Sequence, residues 1–305
     1  MTMTSDPSVK ESIRASILNA GACKVGFAIA APVDPAVADS YATWLTKGNH
    51  ADMAYLDRYH DVRNNPRQLL DGAQTVISCA FDYRQPSHHP LFADYALGLD
   101  YHEVIRQRLT PVAEELCRLY GGQTRICVDT APIRERYWAA RAGVGYIGLN
   151  GLVIVDGVGS KVFLAEIIWT GEVEPDPSRL GEKCKLCGAC LKACPSRALR
   201  GDRSLDARQC NSYLTIEHRG ELPEGLSLPG RIYGCDICQD VCPHNRTEST
   251  TNITEFLPTD ALLHLDEEAI SALTPETFNK IFRHSAVRRT KLTGLQRNIR
   301  RKTNR

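Results

Sequence analysis

The sequence contains no apolar run approaching the roughly 20 residues that a membrane-crossing helix needs. Its longest apolar stretches, such as residues 162–169, are interrupted or only as long as a strand. The N-terminal residues also lack the apolar core of a secretory signal. We therefore expect a cytoplasmic protein without membrane spans, whose cysteines meet a reducing environment and do not build a disulfide framework.

Acidic residues are missing from the last part of the chain. All 36 Asp and Glu residues lie at or before Glu276, whereas ten Lys and Arg residues lie from Lys280 onward, which leaves residues 1–276 with a net charge of −9. A cationic segment on an acidic body predicts a polyanion partner, and a solvated, disordered terminus is the alternative. Apolar residues at helical spacing within the segment favour a folded structure: Phe278, Ile281, Phe282 and Val287.

A dinucleotide-binding fingerprint is missing as well, because no G-x-G-x-x-G motif follows the first predicted strand, residues 25–30. Glycines with this spacing do occur in the segment 143–148, but they follow a helical pattern at residues 134–142 instead of a strand. Three such glycines would let a loop pass close to a large flat ligand.

Helical patterns alternate with short apolar strands over the first half of the chain. The predicted helices cover residues 8–21, 40–59, 101–120 and 134–142, and the predicted strands cover residues 25–30, 75–81, 124–129, 152–156 and 162–169. This alternation indicates an α/β domain, followed by a proline-rich and acidic linker at residues 172–178. Pro111 lies within the third predicted helix and should kink it or split it in two.

Eight of the twelve cysteines lie between Cys184 and Cys242. The run CKLCGACLKACP at residues 184–195 has the spacing of bacterial two-cluster ferredoxins, in which the fourth cysteine binds the other cluster. A second run has Ile232 where its first cysteine should be, and Cys210 can supply the missing thiolate. Two 4Fe-4S clusters then have four ligands each: Cys184, Cys187, Cys190 and Cys242 for cluster 1, and Cys194, Cys210, Cys235 and Cys238 for cluster 2.

A pair of zinc sites is the alternative for these cysteines, because zinc also takes four thiolates. Zinc sites more often use isolated C-x2-C pairs, so the spacing favours iron-sulfur clusters. The remaining cysteines, at positions 23, 79, 117 and 127, are expected to pack in the core.

Polar residues follow one predicted strand and precede the long helix. Asp129 ends a strand, at the edge of an α/β sheet where ligands usually bind, and it could donate a proton if desolvation raised its pKa. It could instead cap the next helix or pair with Arg134 or Arg136. Asp100 is expected to cap the long helix, with Glu103 completing a capping box.

Several motifs together resemble the epoxyqueuosine reductase family: the eight cysteines with the outlying Cys210, and the segments VDTAPIRER at 128–136, YALGLDYH at 95–102 and AGVGYIGLNG at 142–151. The resemblance covers the chain from about residue 8. It implies a cobalamin-dependent iron-sulfur enzyme that removes the epoxide oxygen from epoxyqueuosine at the wobble position of tRNA, the last step of queuosine synthesis.

The resemblance also implies the roles of particular residues. Asp129 is the implied proton donor, and Asp100, Tyr101, His102 and Arg136 are implied polar contacts of the substrate. The implied cobalamin contacts include the glycine loop and the helix after Cys210: Arg63, Gly145, Ile147, Gly148, Asn150, Ser160, Ser212, Thr215 and Glu217. The basic segment supplies the expected RNA contacts: Arg288, Arg289, Lys291, Arg297, Arg300 and Arg301.

The expected architecture is an α/β cobalamin-binding domain at residues 1–175, a ferredoxin-like domain with two 4Fe-4S clusters at 176–248, and a short HEAT-like helical segment at 249–305. The expected partners are a tRNA and an external electron donor such as a reductase, flavodoxin or ferredoxin. The protein is expected to be a monomer. Leu149 departs from the lysine that family members commonly carry there, which puts a charged contact at that position in doubt.

Two other functions are compatible with parts of this pattern. A reductive dehalogenase-like enzyme would share cobalamin and both clusters, but it usually bears a twin-arginine export signal, and the basic segment would have no purpose there. An iron-sulfur module that only relays electrons would leave residues 8–170 without a role.

Overall fold

The computed structural model describes residues 7–224, 226, 228–246 and 249–303. The first six residues, which entered the expectation about a secretory signal, and Arg305 of the basic segment lie outside the described residues. The helices are α1 Pro7–Asn19, α2 Pro35–Thr46, α3 Tyr55–Arg58, α4 His60–Arg63, α5 Tyr101–Tyr120, α6 Glu135–Arg141, α7 Ala189–Ala193, α8 Asn211–Ile216, α9 Ile237–Asp240, α10 Asp260–Leu263, α11 Glu267–Ser271, α12 Pro275–Ile281 and α13 Lys291–Arg300. The strands are β1 Lys24–Ile29, β2 Thr75–Asp82, β3 Thr124–Cys127, β4 Tyr146–Ile147, β5 Val153–Ile154, β6 Val162–Trp169, β7 Leu228–Pro229 and β8 Lys302–Thr303.

A four-stranded sheet in the order β1-β2-β6-β3 forms the centre of the N-terminal half. All three strand pairs are antiparallel, with Thr75 opposite Trp169 and Asp82 opposite Val162 in the central pair. Every residue of β2 is buried, because helices cover both faces of the sheet. The alternation of elements therefore produces a mixed helix and strand domain, as predicted, with an antiparallel sheet.

The two faces of the sheet bury separate sets of apolar side chains. On one face Ile17 of α1 and Ile105 and Leu109 of α5 pack in one cluster with Phe27 and Ile77 of the sheet. The other face packs against α6 and the β4-β5 hairpin, through a cluster that includes Trp138 and Val153. Burial of this apolar surface holds α5 and α6 at fixed positions beside the ends of β3 and β6.

A third apolar cluster joins parts of the chain that are distant in sequence. It contains Leu91 and Leu97 from the N-terminal half, Tyr233 from the cysteine-rich part, and Phe282 and Leu295 from the C-terminal helices. The basic segment is thus folded over its described residues, as the spacing of its apolar residues predicted. The short strand β8 adds to this by pairing in parallel with β7.

Two local predictions need correction. The predicted helix at 40–59 is wrong: α2 ends at Thr46, Gly48 and Ala51 adopt positive φ angles of 65° and 52°, and the chain resumes as the short helices α3 and α4. The predicted split at Pro111 does not occur, because α5 runs unbroken through it, with Pro111 on the exposed side of the helix. None of the described helices combines the length and the apolarity that crossing a membrane requires.

Candidate active site

A hydrogen-bonded chain of three side chains lies where the start of α5 meets the end of β3. Asp100 caps α5 by accepting a hydrogen bond from the backbone N–H of His102, so the expected cap is present. Asp100 Oδ1 also lies 2.7 Å from His102 Nδ1, and His102 Nε2 lies 3.1 Å from Asp129 Oδ2. The expected capping box is not formed, because Glu103 pairs with His284 at 3.0 Å. The imidazole therefore bridges two carboxylates.

The proton of this site resides on His102. Desolvation opposes the charged imidazole, but hydrogen bonds to Asp100 and Asp129 outweigh it and raise the pKa of His102 to about 9. Desolvation likewise opposes ionisation of Asp129, yet the hydrogen bond and charge of His102 lower the pKa of that carboxyl. The condition for Asp129 itself to hold the proton, a pKa raised by desolvation, is thus not met: at neutral pH both ring nitrogens of His102 donate, and Asp129 is a carboxylate.

The backbone at Asp129 is held in an unusual conformation. Its φ angle is 49°, in the left-handed region that non-glycine residues rarely adopt. The side chain of Glu135, at the start of α6, accepts a hydrogen bond of 2.5 Å from the Asp129 backbone N–H. Burial, followed by the nearby charges of Glu166 and Asp129, raises the pKa of Glu135 well above its ordinary value. Glu135 was missed by the sequence reasoning, since no spacing rule marks it.

Tyr101 packs the base of this site. Its ring stacks on Phe163 with centroids 4.3 Å apart, and on His102 with centroids 4.1 Å apart. A hydrogen bond from Tyr101 also contributes to the low pKa of Asp129. Arg136, the fourth expected substrate contact, is exposed and donates a 2.7 Å hydrogen bond to the carbonyl oxygen of Gly151. It thereby connects α6 to the glycine-rich segment.

Residues from three other parts of the chain surround the same space. Burial raises the pKa of Tyr55 to about 12, and the charges that act on this phenol come from Glu217, Arg289, Asp129 and Arg63. Arg289 and Glu217 form a bidentate ion pair, with nitrogen to oxygen distances of 2.8 and 2.7 Å. The structure thus brings Glu217, an expected cofactor contact, together with Arg289, an expected RNA contact. Both lie near Tyr55, a residue that no sequence pattern indicated.

Two of the expected cofactor residues carry buried polar atoms without a protein partner. Within the described part of the chain, Nε of Arg63 and Nδ2 of Asn150 make no hydrogen bond. A buried donor without an acceptor is costly, so a ligand with acceptor groups would satisfy both. These two side chains are therefore the strongest candidates for cofactor contacts.

Other expected cofactor residues have structural partners. The Thr215 hydroxyl donates to the carbonyl oxygen of Asn211 at 2.7 Å and accepts from the backbone N–H of Gly234. The Ser160 hydroxyl accepts a 3.1 Å hydrogen bond from the side-chain amide of Asn245. Both side chains are buried and stabilise contacts between segments, so neither has a free group to offer. Ser212 lies beside them on α8, half-buried.

The glycines of the segment 143–148 are required by the protein itself. A Cβ atom at Gly145 would lie 2.4 Å from the carbonyl oxygen of Ile154, and one at Gly148 would lie 2.8 Å from the Ile154 side chain. Close packing of the β4-β5 hairpin therefore accounts for the lack of a side chain at both positions, and a flat ligand against this loop stays a prediction. Ile147, on β4, is half-buried.

The eight cysteines come together in the two expected groups. All four cysteines assigned to cluster 1 line one cavity, together with Leu149 and His244. In the other group the cysteines are also close together, because the charge of Cys194 contributes to the raised pKa of Cys210, and the charge of Cys210 contributes to the raised pKa of Cys235. The two groups are neighbours, because Cys190 of the first acts on Cys238 of the second. All twelve cysteines are unbridged, and Cys79 and Cys127 are buried as expected.

A further cluster of acidic groups beside the sheet is already neutralised. Asp94, Asp240 and His88 lie close enough to hold a cation. The ammonium of Lys161 occupies that position, 2.6 Å from Asp94 Oδ2 and 2.8 Å from Asp240 Oδ1. Arg231 adds a second cation to the network, which joins the sheet to the cysteine-rich part. We therefore assign this cluster a structural role.

The expected RNA contacts divide into surface and buried residues. Arg288, Arg289, Lys291 and Arg300 are exposed, and Arg301 is half-buried. The charges of Arg288 and Arg289 contribute to the low pKa values of Asp100 and Asp129, so they border the active site. Arg297 is only 3% exposed and donates to three backbone carbonyl oxygens. The expectation that it contacts RNA is wrong, because its guanidinium is used inside the protein.

Two protein-family models match parts of the chain. The model described as "Epoxyqueuosine reductase QueG, DUF1730" matches residues 63–130, which include the Asp100 to His102 part of the site. The model described as "4Fe-4S double cluster binding domain" matches residues 183–245, which include all eight grouped cysteines.

Whole-chain comparisons match this chain to epoxyqueuosine reductases. The epoxyqueuosine reductase of Cyclobacterium marinum is 40% identical over 268 residues, which are 84% of this chain and 84% of that protein. A crystal structure of epoxyqueuosine reductase with an epoxyqueuosine-modified tRNA-Tyr stem loop matches with a TM-score of 0.87 and 28% identity, over 96% of this chain and 80% of that one. The Bacillus subtilis enzyme, with its catalytic aspartate loop swung out of the active site, matches with a TM-score of 0.86 and 26% identity over the same shares.

Proposed function

Because the chain belongs to the epoxyqueuosine reductase family, we propose that it reduces epoxyqueuosine to queuosine at the wobble position of tRNA. As a member of this family it is an oxidoreductase with a double 4Fe-4S domain. One observation carries the proposal furthest. A protonated His102, held between two carboxylates, lies beside exposed arginines, so a proton source faces a surface that suits a polyanion.

The reaction defines what the residues must supply. Converting an epoxide to an alkene and water consumes two electrons and two protons. His102 holds one proton, and Asp129 is the group that passes it to the leaving oxygen, because Oδ2 receives the Nε2 hydrogen bond. Asp100 keeps the imidazole charged and oriented through Nδ1. Asp129 thus acts as the proton donor with His102 as its supply.

The grouped cysteines would hold the two clusters. Cys184, Cys187, Cys190 and Cys242 surround one cavity, which supports their assignment to cluster 1, and Cys194, Cys210, Cys235 and Cys238 are assigned to cluster 2. Four thiolates for each cluster match the requirement of a 4Fe-4S cube. The family resemblance implies cobalamin as the second cofactor; when bound, the clusters and the corrinoid supply the electrons and the reductant.

The residues present fit a corrinoid that carries amide acceptors. Arg63 and Asn150 offer buried donors without protein partners, and Leu149 offers apolar contact next to Asn150. Leu149 gives no charge to this contact. Arg63 and Asn150 are thus the residues that would bind and orient the cofactor.

The C-terminal helices would contact the tRNA. Arg288, Arg289, Lys291 and Arg300 are exposed cations, and neutralising phosphates supplies much of the affinity for nucleic acid. The anticodon loop is single-stranded, so its base can reach the site unstacked. The division into domains at 175 and 248, the HEAT-like character of the last helices, the monomeric state and the cytoplasmic location stay predictions.

The deciding experiment supplies cofactor and substrate together. Anaerobically purified protein with reconstituted clusters, cobalamin and dithionite is incubated with tRNA that carries epoxyqueuosine, and the nucleosides are separated by mass. We expect queuosine to appear only when cobalamin and reductant are both present. Protein with full iron and cobalamin content that forms no queuosine would refute the function.

A further inference from the structure

One cysteine of cluster 1 lies at the protein surface. Among all twelve cysteines Cys187 alone is exposed, and it follows Leu186, a large apolar side chain with 51% exposure. Leu186 also has a φ angle of 51°, so the turn presents both residues outward. The cysteines assigned to cluster 2 are less exposed than Cys187, and Cys210 directly precedes α8, which leads to Glu217 at the active site. Cluster 1 therefore has a ligand at the protein surface, and α8 connects the Cys210 ligand of cluster 2 to Glu217.

The surface around this turn is basic, although the body of the protein is acidic. Between Arg179 and Arg203 the chain carries seven Lys or Arg residues and two acidic residues, in contrast to the net charge of −9 over residues 1–276. Among these cations, four are exposed and have no ion-pair partner in the described structure: Lys183, Lys185, Lys192 and Arg197. The others, such as Arg179, bind to neighbouring acidic side chains or backbone.

We propose that the turn at residues 183–192 is the docking surface for a small acidic one-electron carrier of the flavodoxin or ferredoxin type. This inference rests on the proposed function, because it assigns the cluster 1 ligands. The carrier would place its own redox centre against Leu186 and Cys187, with its acidic rim facing the lysines. Each docking transfers one electron: the carrier is oxidised, cluster 1 is reduced, and two dockings supply one turnover.

The charge of these lysines also suits tRNA, but the geometry favours the carrier. An exposed apolar residue beside a cluster ligand, in a segment with four exposed and unpaired cations, suits a weak and transient redox encounter that electrostatic attraction accelerates. The cations that border Asp100 and Asp129 belong to another segment, at Arg288 and Arg289. RNA therefore has its own basic surface beside the active site.

The test measures the rate at which a carrier reduces the clusters, separately from catalysis. Reduced flavodoxin is mixed anaerobically with cluster-loaded protein at low and high salt, and bleaching of the cluster absorbance is followed. We expect the triple variant Lys183→Glu, Lys185→Glu, Lys192→Glu to lower the bimolecular rate about tenfold or more at low salt and to flatten its salt dependence. At high salt, where the charges are screened, reduction by dithionite should stay within about twofold, because this small anion needs no docking surface.

Controls separate docking from folding and from RNA binding. Lys24→Glu makes one charge reversal of the same kind, a third of the total change, on an exposed position of the edge strand β1 and should leave flavodoxin reduction unchanged. If the triple glutamate variant loses iron, the corresponding Lys→Gln variant is used, for which about a threefold loss is expected. An unchanged flavodoxin rate, or a loss of tRNA affinity with cluster reduction intact, would overturn the proposal. Failure of dithionite-driven queuosine formation by the wild type would instead reject the proposed function and leave the docking result standing.

Discussion

His102 is a residue whose charge at neutral pH is set by its surroundings. Since its pKa is about 9 in the folded protein and about 6.5 in an unfolded chain, the charged form dominates at neutral pH only after folding. The resulting stability is fully present below pH 6.5 and is lost as the pH rises through about 9. Proton supply should be lost in the same range.

We expect the single-turnover rate to fall about tenfold per pH unit above pH 9, because the fraction of charged His102 falls in that way. The His102→Gln variant should have a low single-turnover rate, and that rate should not show the decrease above pH 9. The free energy of unfolding, measured across the same pH range, should lose part of its dependence in that variant. A wild-type rate that stays constant to pH 10 would show that His102 does not supply the proton.

Asp129 needs a substitution that respects its backbone. Replacement by alanine at a φ angle of 49° would add strain of about 1–2 kcal/mol, whereas asparagine tolerates this conformation. We expect Asp129→Asn to lower the single-turnover rate by about 10²–10⁴ while tRNA affinity and cofactor content are retained. Asp61→Asn, at a carboxylate that is 92% exposed, is the matched control. Activity within threefold of wild type would remove Asp129 as the donor.

Glu135 positions the Asp129 backbone without touching the substrate. Burial and neighbouring acids raise the pKa of this side chain and so favour its neutral form, and a neutral glutamine has the same shape and can accept the same hydrogen bond. We therefore expect Glu135→Gln to keep the single-turnover rate within about threefold, and Glu135→Ala to lower kcat about tenfold or more with little change in KM. Equal loss in both variants would mean that the charge, and not the hydrogen bond, matters.

Among the helices and strands, the apolar pattern of the sequence predicted the limits of those elements whose pattern is continuous. The limits of α5 and β6 agree with the prediction because each has an unbroken apolar pattern, and even Pro111 is accommodated on the exposed side of α5. The helix predicted across residues 40–59 failed because its apolar spacing hid the backbone turns at Gly48 and Ala51. Cysteine spacing was sufficient for the double-cluster domain, which the family match over 183–245 confirms.

The candidate site was only partly accessible from sequence. Asp129, His102 and Asp100 lie in motifs that the family resemblance marked. The contacts between Glu217 and Arg289, and between Asp129 and Glu135, depend on tertiary packing that no periodicity encodes. Burial of Arg297 has the same origin, because its carbonyl partners come from residues near 214–220. Charge alone predicted an RNA contact for it, and burial excluded this.

The C-terminal elements allow a sharper RNA test than truncation. Deleting residues 286–305 would remove Val287 and Leu295 from the third apolar cluster, so loss of binding would also follow from unfolding. Substituting the exposed Arg288 or Lys291 by glutamine leaves the core intact. Each variant should weaken tRNA binding and reduce the slope of affinity against salt by about 1. Lys24→Gln is the control; an unchanged slope in both test variants would assign the RNA contact elsewhere.

At the scale of the whole molecule, the metal content tests the eight cysteines together. Protein purified without oxygen should contain about eight iron atoms and eight acid-labile sulfides per chain, because two cubes carry four of each. Cys210→Ser should remove about four of each, since it takes away one ligand of cluster 2 only. Zinc in place of iron, or the same iron content in that variant, would contradict the assignment.

The third apolar cluster also has a consequence for how the protein is made. Leu91 and Leu97 find their partners among residues as late as Leu295. At 5–20 residues per second, the ribosome needs roughly 10 to 40 s to complete that stretch. During this interval the apolar side chains of Leu91 and Leu97 lack their C-terminal partners on the nascent chain. Chaperone binding during translation should therefore determine the yield of active enzyme in overproducing cells.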